Sequence, residues 1–348
     1  MDIDLLKRTL AELGEPKYRA NQIWEWTARG ANGYEEMTNL PELLRLELDE
    51  RVPFSTLELI DSAESRDGTI KALFHTHDKR PVEAVMMKYL DGRRSICVSS
   101  QSGCPLTCTF CATGTMAFGR NLTTSEILDQ ALFFKRLENE VNHLVFMGMG
   151  EPMMNIDNVL AACEKLPDIG ITNRRTTVST VGWLPGIERF NAQDRPVRLA
   201  LSLHAADPKL RSEIMPVNDR YPLEDVLIAC RKHYAENNRR VYIEYVMLAG
   251  VNDHTKHARQ LAKLLTPHEA FKVNLIPYNP TGTGYDGSAR TTIGAFRDVL
   301  LHQGVPATVR LTRGQDIAAA CGQLVADAIQ DAAIRPARPS QGRPPASD

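Results

Sequence analysis

The stretch Cys104-Pro105-Leu106-Thr107-Cys108-Thr109-Phe110-Cys111 places three thiols within eight residues, at C-x3-C-x2-C spacing. It follows closely on residues 95–100, which read as a strand, so the thiols sit on a strand-end loop. Three thiolates on one short loop can ligate three irons of a cubane and leave the fourth iron open to a substrate. Zinc is the main rival. Structural zinc usually takes four ligands in paired CxxC groups, and no histidine or further cysteine follows here at matching spacing.

Outward from this loop, strand-like runs alternate with amphipathic helical patterns. The strands read at 95–100, 143–147, 176–180, 197–203, 240–248, 272–276 and 307–311. The helices read at 124–138, 156–165, 223–236, 255–265 and 293–303. Thr123, with Glu126 three residues later, predicts a capping box at the start of the first helix. Such sustained alternation predicts an α/β fold, either a parallel barrel or a related open sheet. The active site of such folds gathers at the C-terminal ends of the strands.

Residues 1–55 read as a helical accessory domain, with Leu5, Leu6, Leu10 and Leu13 at helical spacing and further helices at 18–26 and 40–50. Trp24 and Trp26 on the second helix read as core. Residues 56–90 read as a small β extension, with turns at Asp67-Gly68 and Asp78-Lys79. The catalytic part spans 91–334. Residues 335–348, with four prolines and almost no apolar side chains, read as a disordered tail.

Of 348 residues, 43% are apolar and 24% charged, the balance of an ordinary globular protein. No apolar run approaches the ~20 residues of a membrane span. Met1-Asp2-Ile3-Asp4 lacks the basic opening of a signal peptide, so the expected location is the cytoplasm, with no membrane partner. The 41 basic and 43 acidic residues leave a formal charge of -2, which argues against nucleic-acid binding by bulk attraction. RNA would need a local basic face. Arg93-Arg94, Arg174-Arg175 and Arg239-Arg240 can contact phosphates, though such pairs are more often solvated surface. The cysteines number seven, and neither the odd count nor a reducing cytoplasm suits a disulfide framework.

Gly148-Met149-Gly150-Glu151-Pro152 directly follows the strand read at 143–147. Its glycines permit close backbone approach, and Glu151 can accept from an ammonium. Ser179, Ser202-Leu203-His204 and Asn279 also fall at strand ends. The cysteine spacing, with an aromatic before the last thiol on the loop after the first strand, resembles the radical S-adenosylmethionine superfamily. The resemblance implies a partial parallel (β/α)6-type barrel. It implies a [4Fe-4S] cluster on Cys104, Cys108 and Cys111, whose open iron chelates S-adenosylmethionine. Gly150, Glu151, Ser179, Ser202, Leu203, His204 and Asn279 would surround that ligand.

Two other cysteines narrow the resemblance. Cys97 lies in Cys97-Val98-Ser99-Ser100-Gln101-Ser102-Gly103-Cys104, and Cys321 in Ala319-Ala320-Cys321-Gly322-Gln323-Leu324. Cys163 and Cys230 sit on apolar helical patterns and read as core. Together with Arg19-Ala20-Asn21-Gln22-Ile23, Met37-Thr38-Asn39-Leu40-Pro41 and Asn274-Leu275-Ile276-Pro277-Tyr278-Asn279-Pro280, these segments resemble the ribosomal and transfer RNA adenine-C2 methyltransferases. Ala318 departs from the family's pattern, where an aspartate is expected, and that bears on the hydrogen bonding around Cys321.

The resemblance implies two molecules of S-adenosylmethionine per turnover. One methylates Cys321, and the other supplies a radical that activates the new methyl group. After addition to C2, Glu83 would accept the C2 proton, against the plain alternative of a surface strand carboxylate. Cys97 would then attack the Cys321 sulfur to free the base, leaving a transient disulfide. The substrates implied are 23S ribosomal RNA and adenine 37 of some transfer RNAs. An electron donor such as flavodoxin or a reductase, and a monomeric state, are also implied. Two alternatives stand beside this reading: adenine C8 methylation of 23S ribosomal RNA conferring antibiotic resistance, and a zinc-dependent RNA-binding protein.

Overall fold

The computed structural model describes residues 1–324 apart from residue 139, so the tail expected at 335–348 lies outside the described residues. Ten strands join one sheet. Strands β1 (Leu57–Glu64), β2 (Ile70–Thr76) and β3 (Pro81–Lys88) pair antiparallel through the two turns expected at Asp67-Gly68 and Asp78-Lys79. Strand β4 (Arg94–Val98) pairs antiparallel with β3 on one side and parallel with β7 (His143–Phe146) on the other. A two-stranded ribbon, β5 (Gln101–Ser102) with β6 (Arg120–Asn121), clamps the base of the cysteine loop. Strands β7 (His143–Phe146), β8 (Thr176–Thr180), β9 (Arg198–Ser202), β10 (Val241–Met247), β11 (Phe271–Pro277) and β12 (Ala307–Val309) then add in chain order, each parallel to the last.

The sheet runs from β1 to β12 and does not close on itself. The expected α/β architecture is therefore a mostly parallel open sheet, the partial barrel without closure. Helices cover one face. Leu144, Phe146, Val178, Leu199, Leu201, Ile243 and Leu275 enter the main core beneath them. Alternate residues, including Thr177, Arg198, Glu244 and Asn274, line a cavity along the opposite face. That alternation is the period-two geometry of a strand with one dry and one wet face.

Helices α1 (Ile3–Glu12), α2 (Tyr18–Arg29) and α3 (Glu42–Arg51) enclose a second core built on Leu6, Leu10, Ile23, Tyr34, Leu44 and Leu48. Helix α2 joins both cores. Trp24 is buried in the main one, and its indole Nε1 donates to Asp168 Oδ2 at 2.7 Å. Trp26 donates instead to Asn39 Oδ1 at 2.7 Å.

Between the parallel strands run α4 (Thr124–Glu138), α5 (Ile156–Ile169), α6 (Leu184–Asn191), α7 (Pro208–Ile214), α8 (Val217–Arg220), α9 (Leu223–Asn237), α10 (Thr255–Leu264) and α11 (Arg290–His302). The capping box at α4 forms as expected: Glu126 N donates to Thr123 Oγ1 at 3.2 Å, and Thr123 N donates to Glu126 Oε2 at 2.8 Å. Helices α6, α7 and α8 are absent from the sequence expectation. They span 8, 7 and 4 residues, too few turns for periodicity to register. Among the described residues no helix is long and apolar enough to cross a membrane.

One charged residue fixes the strand ends. Arg211 on α7 is completely buried. Its Nε donates to Leu203 O at 3.2 Å, and Nη1 to Asn218 Oδ1 at 2.8 Å. Its Nη2 donates to Val181 O at 2.6 Å and Ser202 O at 3.4 Å. The guanidinium thus ties main-chain carbonyls at the ends of β8 and β9 to α7 and to Asn218 on α8. Burial drags its pKa down to about 10. Arg211→Met strands those acceptors in a dry site. The expected cost is about 3 kcal/mol, read as a lower urea midpoint at unchanged slope; an unshifted midpoint refutes the assignment.

Candidate active site at the strand ends

The cysteine loop is held from both sides. Thr109 N donates to Ile214 O at 3.0 Å, Cys111 N to Cys108 O at 3.1 Å, and the Phe110 ring meets His204 edge-on at 4.8 Å between centroids. Cys104, Cys108 and Cys111 are free thiols. All three line one cavity, together with Gly150, Glu151, Ser179, Ser202, His204, Asn279 and Cys321. Burial pushes Cys104 up to about 12 and also raises Cys108, on which the neighbouring Cys111 and Cys104 act next in strength. Cys104 and Cys108 are therefore costly to ionise here without a compensating cation. Among the described residues no three His, Cys, Asp or Glu side chains converge on a single ion. A cubane does not require that, because each thiolate binds its own iron, so the residues present fit a cluster.

The loop after β7 approaches the end of β4 very closely. Gly148 N donates to Val98 O at 3.1 Å, and Met149 N donates to Ser99 Oγ at 2.8 Å. A Cβ at Gly148 would lie 2.7 Å from Val98 O and 2.8 Å from Ser99 N. Gly150 has φ +92 and backs onto Gln101, whose Oε1 accepts from Glu151 N at 2.9 Å. Glu151 is buried. Its Oε1 accepts from Met153 N at 3.0 Å and its Oε2 from Val181 N at 2.9 Å. Burial pushes its carboxyl up to about 7 against those hydrogen bonds. A remaining lone pair on a carboxyl held this way suits an ammonium group.

Ser179 Oγ and Ser202 Oγ lie 3.4 Å apart on adjacent strands. His204 Nδ1 accepts from Val246 N at 3.0 Å, which leaves the ring proton on Nε2. Burial drags its pKa to about 3, so the ring is neutral. The Leu203 side chain lies in the core rather than in the cavity lining. Only its main chain belongs to the rim, donating to Glu244 O and accepting from Arg211.

Cys321 borders two cavities. Besides the first, it lines a smaller one with Cys97, Val85, Tyr89, Asn279 and Arg310. Both cysteines are free thiols. Burial pushes Cys97 up to about 12, and also raises Cys321, although that residue is exposed as a whole. The Arg310 guanidinium opposes both shifts. Arg310 is itself paired with Glu244 Oε2 at 3.2 Å.

The segment carrying Cys321 is fastened on three sides. Gly322 O accepts from Ala112 N at 2.9 Å, and Leu324 O from Thr113 Oγ1 at 2.6 Å. Asn279 Nδ2 donates to Cys321 O at 3.4 Å. Asp316 accepts from Ser65 Oγ at 2.5 Å, and Gly314 N donates to Asp67 Oδ2 at 3.1 Å. Ala318 takes a left-handed turn with φ +49, a conformation an aspartate tolerates better than alanine.

Glu83 is fully buried, not the surface carboxylate that its strand position alone would suggest. Lys71 Nζ lies 2.9 Å from its Oε1, and neither carboxylate oxygen has a hydrogen-bond partner in good geometry. Sequence reasoning missed Gln101, Arg211, Arg310 and Lys71. Gln101 lies within the quoted cysteine segment, and its position was the available signal. The other three are single basic residues in apolar or mixed runs and carry none.

Residues 98–262 match the Radical SAM superfamily, and residues 1–53 match the ribosomal RNA large subunit methyltransferase N-terminal domain. The chain is 44% identical over 341 residues to a probable dual-specificity RNA methyltransferase RlmN of Thermus thermophilus, covering 95% of this chain and 96% of that one. It is 47% identical over 329 residues to a protein of the same description from Gemmatimonas aurantiaca, covering 92% and 89%. A crystal structure of a radical SAM methyltransferase from Sphaerobacter thermophilus superposes with TM-score 0.89 at 42% identity, covering 94% and 98%.

Two outcomes follow from this geometry. Gly148→Ala forces the loop off the β4 backbone; it is expected to weaken S-adenosylmethionine binding about tenfold, measured by titration calorimetry, and unchanged affinity refutes the packing account. The Glu151 carboxyl stands above its ordinary value, so its contribution to stability is full below about pH 4.5 and is lost as pH rises through about 7. Between those limits cluster-free wild type is expected to lose on the order of 3 kcal/mol relative to Glu151→Gln. Urea unfolding across pH reads this directly, and equal pH dependence of the two proteins refutes it.

Proposed function

This chain belongs to the dual-specificity RNA methyltransferase RlmN family of radical S-adenosylmethionine enzymes, and from that premise we propose that it methylates C2 of an adenine in 23S ribosomal RNA, and adenine 37 of some transfer RNAs, by way of S-methylated Cys321. The family's cofactors are a [4Fe-4S] cluster and S-adenosylmethionine. Cys104, Cys108 and Cys111 would hold the cluster. Gly150, Glu151, Ser179, Ser202, His204, Asn279 and the Leu203 main chain would surround S-adenosylmethionine. When bound, the pair supplies one-electron cleavage and hence a carbon radical.

The chain's own residues do the rest. C2 of adenine is electron-poor and cannot attack a methyl sulfonium, so a protein nucleophile must carry the methyl group first. The Cys321 thiolate takes it by displacement, forming the S–CH3 bond as the sulfonium–CH3 bond breaks. Arg310 lowers the cost of that thiolate. Once the carried carbon is joined to C2, the unpaired electron of the adduct would pass to the cluster held by Cys104, Cys108 and Cys111, and Glu83 accepts the C2 proton. Cys97 then bonds to the Cys321 sulfur as the sulfur–carbon bond breaks, and the freed carbon takes a proton to become methyl. Cellular thiols reduce the resulting disulfide.

The observation that carries this reading is that Cys321 borders both cavities, so one sulfur can face the cluster side and the Cys97 side. The N-terminal match supports C2 over C8. A cytoplasmic monomer fed by flavodoxin or a reductase completes the reading. Nucleoside mass spectrometry of RNA from a deletion strain, with and without the gene restored, is expected to show 2-methyladenosine restored; 8-methyladenosine as the main product overturns the regiochemistry. Cys97→Ala is expected to keep Cys321 methylated and to trap RNA covalently. Normal turnover of that variant overturns the disulfide step.

A further inference from the structure

Lys71 is a buried cation that the reaction outlined above does not use. It is 3% exposed and sits on β2, two strands from Cys97. The register places Lys71 opposite Val85, and Val85 opposite Cys97, so all three side chains share one face of the sheet. Glu83, two residues before Val85, projects from that same face. The segment bearing Cys321 covers the face, with Ile317, Ala319 and Leu324 packed against Val85 and Cys97. Lys71 Nζ lies 2.9 Å from Glu83 Oε1, and it donates to Ala318 O at 3.4 Å.

We propose that Lys71 is a positioning residue for release of the methylated base: its ammonium joins the Glu83 carboxylate to the Cys321 segment, so that base and sulfur are presented as one unit. The inference rests on the reading of Glu83 as proton acceptor. Its physical basis is geometric: in a buried site where neither Glu83 oxygen has a hydrogen-bond partner, the Lys71 ammonium is the one group that reaches both the carboxylate and the Ala318 carbonyl among the described contacts. Without Lys71, Glu83 would lose its ion-pair partner and its tie to the Cys321 segment. The carbonyl of Ala318 would also lose its only side-chain donor among the described contacts.

The test uses the full chain with its cluster reconstituted and a short RNA stem-loop carrying the target adenine. Two quantities are followed in Lys71→Met, Glu83→Gln and the double variant: S-methylation of Cys321 by peptide mass, and covalent protein–RNA species on denaturing gels. The double variant buries no unpaired charge and guards against misfolding of the single one. Lys71→Met is expected to methylate Cys321 normally, to release product about tenfold more slowly, and to accumulate the covalent species. In the Glu83→Gln background, Lys71→Met is expected to add no further loss, because it acts through Glu83. Lys71→Arg is expected to restore release. Additive losses, or loss of Cys321 methylation in the double variant, make Lys71 merely structural and overturn the proposal. Wild-type release by Lys71→Met with Glu83→Gln stalled overturns it while leaving Glu83 its role. Normal release by both variants overturns the reading of Glu83 as well.

Discussion

Parallel pairing delivers the C-terminal ends of β4 and β7 through β11 to one rim, and the chemistry of the protein depends on that rim. A parallel sheet cannot place its strand ends anywhere else. The cysteine loop, the glycine loop before Glu151, the Ser179–Ser202 contact, His204 and Asn279 therefore converge although they span about half the sequence. The antiparallel strands β1 to β3 have a different part. They extend the same sheet sideways and offer a face on which the segment bearing Cys321 rests.

The rim is electrostatically expensive. Thiols are pushed up by burial and by one another, the Glu151 carboxyl is pushed up by burial, and Arg211 is drawn down. Each cost has a local answer. Main-chain amides hold Glu151, main-chain carbonyls hold Arg211, and Lys71 stands beside Glu83. Among the described residues the three thiols have no such answer adequate to their number, which is the signature of a site completed by metal.

Much of this was legible in the amino-acid order, for a physical reason. Period-two and period-3.6 patterns report which face of an element is dry, so strands such as 176–180 and helices such as 124–138 could be read to the residue. The cysteine spacing and Gly148–Glu151 are local, and local chemistry survives in one dimension. Helices α6 to α8 did not register because each is too short to show a period. Glu83 and Lys71 were opaque for another reason: burial on the β2–β3 face is created by a segment about 240 residues downstream, and no window along the chain contains both. The spacing also left zinc open, and the match to the radical SAM superfamily is what decides for the cluster.

The open edge has a mechanical consequence at Cys321. After β12 the chain crosses to the β1–β2 turn and is secured there by side-chain contacts, such as Ser65 with Asp316 and Asp67 with Gly314, rather than by a strand ladder. Contacts of that kind are worth about 1 kcal/mol each and break independently, whereas a ladder between central strands opens only with its neighbours. The segment can therefore yield without the sheet yielding. Cys321 is thus carried on a part of the fold whose local opening costs less than opening the sheet itself.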